Sequence, residues 1–159
     1  MTLKEILKDL THMNGLLDEY WALVYKTDFG IPEPLTEFEK TYKEEILKNL
    51  KLEILRFKTD IEAFSENACK SEKQKETENV NLVDAFRTLS NVLSRLQRFG
   101  AKDSELIENF ELLKSVVLKF KDVIDEYRQR SIYQIYSWSE VARKVKEEDE
   151  AVSKMFGLT

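Results

Sequence analysis

One histidine, His12, and one cysteine, Cys69, limit the chemistry open to this chain. A Ser-His-Asp or Cys-His arrangement would have to be built on His12 alone. Asp9 and His12 stand three residues apart, a spacing that puts both on one helical face and that a metal could use. Carboxylate-bridged di-metal bundles, however, need two Glu-x-x-His sets, so His12 reads as a surface or helix-boundary histidine. Cys69 lies beside Lys70, and a neighbouring lysine can activate a thiol. An ordinary free thiol is the simpler reading. Paired acids such as Glu44/Glu45 and the run Glu147 to Glu150 read as solvated faces in a chain with 35% charged residues. The letters DFG, Asp28 to Gly30, lack the glycine-rich loop and catalytic loop of a kinase. There is no phosphate-cradling glycine loop, zinc-type cysteine spacing or nucleotide fingerprint. The expectation is a protein that is not an enzyme, with no cofactor, no metal and no small-molecule substrate.

The elements that would position any site are helical. The 159 residues include 42% hydrophobic ones, enough for one core, but only 4 Gly and 2 Pro, and Glu, Lys and Leu dominate. A net charge of -5 gives no overall bias towards nucleic acid. No run approaches the roughly 18–20 apolar residues of a membrane-spanning helix, and MTLKEILKDL is neither a secretory signal nor a transit peptide. A single cysteine allows no intrachain disulfide, which suits a reducing compartment. These features together favour the cytoplasm.

Thr2 to about Tyr25 reads as one amphipathic helix with Leu3, Ile6, Leu10, Met13, Leu17, Tyr20 and Val24 on its apolar seam. Gly15 interrupts it, as a close contact or a bend would require. Residues 28–35, with Pro32 and Pro34, read as a linker. Thr36 and Glu39 have capping-box spacing and open a helix whose seam runs Leu47, Leu50, Ile54, Phe57, Ile61, Phe64, Ala68. Leu52 and Leu55 fall off that seam and suggest a second contact surface. The polar stretch 69–79 reads as a fraying tail and loop, with Asn79 or Asn81 capping a third helix to Phe99. Gly100 then stands where a left-handed C-terminal residue would. The chain either turns there or kinks.

Ala101 to Phe156 holds no Gly or Pro before Gly157, and Leu106, Phe110, Leu113, Val117, Phe120, Ile124 and Tyr127 recur at coiled-coil spacing. A continuous helix of this length would be a rod. Its second half is apolar over more than one stripe. Either it packs on the first helix, with Tyr20, Trp21 and Tyr25, or Ile132, Ile135, Tyr136 and Trp138 form an interface with another chain. A second candidate surface is basic. Arg87, Arg95, Arg98 and Lys102 fall within about 80° of one another at 100° per residue, opposite the seam of their helix. They would contact an anionic lipid surface or an acidic partner, or else serve as a solubilising face.

The stretch AFSENACKSEKQKETENVNLVDAFRTLSNVLSRLQRF resembles the passage between the first two helices of the BAR domain of sorting nexins. Phe64, the 69–79 loop and Leu89-Ser90 carry that resemblance. The later segment with Arg128, Arg130 and Trp138 is similar to the middle of the family's second helix. The resemblance spans roughly Thr36 to Glu150 and implies a crescent-shaped dimer of long helices on endosomal membrane. It lacks the family's phosphoinositide-binding domain and a third long helix, a place that the Met1–Tyr25 helix would have to fill.

The expected architecture is all-α: an antiparallel long-helix bundle of three to four helices, elongated if BAR-like. Its parts are an N-terminal amphipathic helix at 1–27, the linker at 28–35 and the long-helix bundle at 36–156. The expected function is a non-enzymatic interaction module, either a membrane-associated dimer in trafficking or a small adaptor in a larger complex without a membrane role. Protein partners or self-association are expected, with peripheral membrane contact in the first case and no nucleic acid in either.

Overall fold

Thr2 and Glu5 cap one another's backbone donors and start the first helix, α1 (Leu3–Val24). In the computed structural model, which describes residues 2–25, 27–28, 31–32, 34–64 and 69–155 and the side chains of all but 27–28, 31–32 and 148–155, α1 is followed by α2 (Glu37–Ala63), α3 (Glu72–Phe99), α4 (Ser104–Arg130) and α5 (Trp138–Met155). The fold is all-α. Between α1 and α2, a two-residue antiparallel pairing sets Thr27 opposite Pro32 and Asp28 opposite Ile31. The Thr36–Glu39 capping box opens α2 as its spacing predicts.

Two differences from the sequence reading concern boundaries. The polar stretch 69–79 is mostly helix. Ser71, not Asn79 or Asn81, caps α3 by accepting from the Gln74 N–H. Glu, Lys and Gln are good helix formers, so polarity here marks an exposed first turn rather than a break. The rod expected from Ala101 to Phe156 is divided. α4 stops at Arg130, and seven residues pass before α5. Side chains, not Gly or Pro, make the break. Ser131 Oγ contacts the carbonyls of Cys69 (2.9 Å) and Tyr133 (2.7 Å). Asp125 accepts from the Trp138 N–H, and Ser137 from that of Glu140, so α5 starts capped.

The chain turns at Gly100, but not in the left-handed conformation. Gly100 has φ -58°, and glycine is needed there for space: a Cβ would lie 2.9 Å from Ile107 Cγ1 and 3.0 Å from the Leu96 carbonyl. Gly15 is the opposite case, with nothing within 4 Å of the same position.

Going round the bundle, the order is α1, α2, α4, α3, and α5 packs on α3 and α4. α1 runs antiparallel to α2 (Glu19 to Tyr42, His12 to Glu53) and parallel to α3 (Asn14 to Asn91, Tyr20 to Phe99). Phe57 on Phe120 and Phe64 on Tyr127 set α2 parallel to α4. α2 and α3 therefore stand diagonally across the bundle from one another. α1 is a full member of the core: Leu3, Ile6, Leu10, Met13 and Leu17 are fully buried and Tyr20 nearly so. At roughly 1.5–3 kcal/mol for each large apolar side chain buried, these six contribute on the order of 10 kcal/mol before entropy is counted.

Candidate functional site

The aromatic segment after α4 is largely covered by its own chain. Trp138 meets Phe86 and Phe120 edge-on, at 5.1 and 5.5 Å between ring centres. Ile135 is buried, and the half-buried Tyr136 gives its N–H to Asn79 Oδ1 at 2.8 Å. Ile132 alone of the four stands out, 91% exposed. The segment packs on α3 and α4 rather than on α1, whose Tyr20 and Tyr25 pack on Phe99 instead. Arg128 reaches Glu140 at 2.9 Å and ties the two sides of the break together. Beneath it, burial pushes the carboxyl of Glu78 up, and burial followed by nearby Glu78 pushes the phenol of Tyr127 up to about 12.

The four basic residues do not form one open stripe. Arg95 is drawn into the α1–α3 seam, 12% exposed, where it binds Asp18 at 2.6 Å and both the side chain and carbonyl of Asn14. Helical angle alone placed it outward; the Asp18 and Asn14 acceptors on α1 explain why it is not. Arg87 pairs with Asp84 one turn back. Arg98 and Lys102 remain exposed at the Gly100 end, each over a ring: Arg98 over Phe99 at 5.7 Å, Lys102 over Tyr25 at 4.2 Å. Trp21, 55% exposed, stacks on the other side chain of this group, Tyr25. Among the described residues neither Arg98 nor Lys102 meets a carboxylate. Asp103, close by, is taken by Lys43 at 2.9 Å and by the Tyr20 hydroxyl at 3.4 Å. Burial, and then Asp103, holds the Tyr20 phenol above its ordinary range.

A third cluster is one that the sequence reading passed over. Asp9 is only 6% exposed on the α1–α2 seam, in hydrogen-bond contact with Asp60 and near Glu53 and Arg56. Its Oδ2 has no hydrogen-bond partner, and neither has Glu53 Oε2. Burial, then the bond to Asp60 and the charges of Asp60 and Glu53, push the Asp9 carboxyl up to about 7 against the smaller pull of Arg56. Glu53 also takes Arg56 at 3.0 Å and His12 at 3.7 Å. The signal was present: Asp9, Glu53 and Asp60 each immediately precede a seam residue, Leu10, Ile54 and Ile61. In an antiparallel pair such flanking positions meet.

Two outer grooves accompany these clusters. One, of about 460 Å³, runs between α1 and α2 past His12, Gly15, Leu16, Leu52 and Arg56. The other, of about 440 Å³, lies between α3 and α4 and is lined by Leu93, Val117 and Leu118, with Glu111, Lys114 and Ser115. Leu52, Leu55, Ile107 and Leu118 are all exposed. Among the described residues no set of three or more His, Cys, Asp and Glu side chains is placed to hold a metal ion, and no helix is long and apolar enough to cross a membrane. No protein-family model, characterised protein or solved structure matches this chain.

Proposed function

We propose that this protein is a non-enzymatic helical interaction module that docks peripherally on an anionic lipid surface through the Gly100 end of its bundle. The observation that carries the reading is the aromatic–basic group of Trp21, Tyr25, Arg98 and Lys102. Two cations sit over rings without an acidic partner among the described residues, beside a half-exposed tryptophan. Tryptophan and tyrosine favour the headgroup region, and arginine and lysine reach phosphates from an apolar base. Each basic residue near an anionic membrane is worth about 1 kcal/mol, so two of them give weak, reversible, salt-sensitive binding. Dimerisation of the BAR kind would double that number.

Co-sedimentation with phosphatidylserine-containing and phosphatidylcholine-only vesicles tests this. Binding is expected to the first only, and to be lost in R98E/K102E. Equal binding of that variant and the parent would overturn the reading. Light scattering with small-angle scattering tests the dimer. A second reading, a small adaptor in a larger complex without a membrane role, is favoured by the apolar α3–α4 groove at Leu93, Val117 and Leu118. It predicts no vesicle binding, and loss of a protein partner on L118E.

A further inference from the structure

Two carboxyl groups in hydrogen-bond contact inside a protein need a proton between them, because neither carboxylate can donate. Asp9 and Asp60 are such a pair, one from each side of the α1–α2 seam, and Asp9 is more than nine-tenths buried with an unpartnered Oδ2. The groups facing Asp9 from α2 are Asp60, Glu53 and Arg56. Arg56 is engaged by Glu53, as is His12 of α1 itself. α3, the other helix packed on α1, contributes Arg95, which is held by Asn14 and Asp18 further along. The local acids thus outnumber the cations that reach them, and a third carboxylate, Glu53, keeps the pair from ionising fully.

We propose that the Asp9–Asp60 carboxyl pair, backed by Glu53, is a single-proton latch that makes the grip of α1 on α2 depend on pH. With the proton present, the pair is a hydrogen bond across the seam. With it gone, the buried Asp9 carboxylate opposes the half-buried Asp60 beside a third. The sign follows from linkage. The Asp9 carboxyl holds its proton up to about 7 in the folded seam and only to about 3.8 when α1 is released, so the folded seam binds more protons and loosens as pH rises between these values. Above them the dependence levels off. One proton limits the effect to about tenfold in the opening equilibrium per pH unit. The six buried apolar side chains keep α1 in place throughout, so the latch sets how often α1 opens rather than whether it is bound. This inference is independent of the lipid-surface reading.

The test is hydrogen exchange of the α1 amides in the full chain, corrected for intrinsic rates, from pH 5 to pH 8, with a ¹³C titration of the Asp9 carboxyl. The opening constant is expected to grow about tenfold per unit to pH 7 and then flatten. Asp9→Asn should abolish the growth and protect α1 more than the parent at pH 8. Asp60→Asn, whose amide can donate to Asp9, should move the carboxyl midpoint downward. A parent Asp9 midpoint below pH 5, or an opening constant whose pH dependence survives in Asp9→Asn, would overturn the latch. Should Asp9→Asn fail to fold, the carboxyl titration of the parent and of Asp60→Asn still decides.

Discussion

The two flanks of α1 are built on opposite electrostatic principles. Towards α3, charges complement: Arg95 of α3 answers Asp18 and Asn14 of α1, and Asn91 adds a second contact to Asn14 at 3.1 Å. Towards α2, acids outnumber cations: Asp9 faces Asp60 and Glu53, with two carboxylate oxygens unsatisfied, and Arg56 and His12 both go to Glu53. The apolar core is continuous across both flanks, so the difference lies in how each responds to its medium. An arginine–carboxylate pair, here between the largely buried Arg95 and the exposed Asp18, is in general insensitive to pH near neutrality. A carboxyl pair is sensitive there. One helix is therefore fixed along one edge and conditional along the other.

The sharpest way to break this contrast is to remove the core that both flanks share. Leu10→Ala should lower unfolding stability by about 2–5 kcal/mol in chemical denaturation; a loss under half a unit would mean that α1 is not part of the bundle. Next, Arg95→Ala removes the hydrogen bonds of a largely buried charged group to Asn14 and its pair with the exposed Asp18, and should cost about 1.5–3 kcal/mol, by the same amount at pH 6 and pH 8. If that cost varies with pH, the two flanks are not different in kind. Asp9→Asn should act in the other direction, stabilising by about 2 kcal/mol or more at pH 8 and by little near pH 3, where the parent carboxyl is mostly protonated in both states. The smallest effect belongs to the groove beside the acidic flank: Gly15→Ala should stabilise by about 0.5–1 kcal/mol, since nothing lies within 4 Å of the added methyl. A loss there would show a neighbour in that groove.

Much of the fold could be read from apolar periodicity. The seam of α1, that of α2 as far as Phe64 and the capping box at Thr36 follow from spacing and local chemistry, while Ala68 lies outside the described residues; at Gly100 spacing allows a turn or a kink, and the fold decides for the turn. What periodicity does not carry is partner identity. Arg95 has the same helical angle whether or not Asp18 of another helix waits for it. Trp138 signals a broad apolar surface, but only the meeting of Phe86 and Phe120 on two helices shows that its own chain supplies the cover. The break at Ser131 depends on the Cys69 carbonyl, 62 positions earlier in the chain. Spacing pairs Asp9 with His12 of its own helix, whereas the fold sets it beside Asp60 of the next.

The cysteine just ahead of the α3 cap has a practical use. Cys69 is 2% exposed, and its carbonyl is held by Ser131 while its Sγ lies 3.4 Å from the Ser71 carbonyl. As the chain's one thiol, it reports a single place. A thiol reagent will modify it only as fast as the end of the bundle opposite Gly100 breathes. Its labelling half-life is then a stopwatch for that end, readable by mass spectrometry in the unaltered protein.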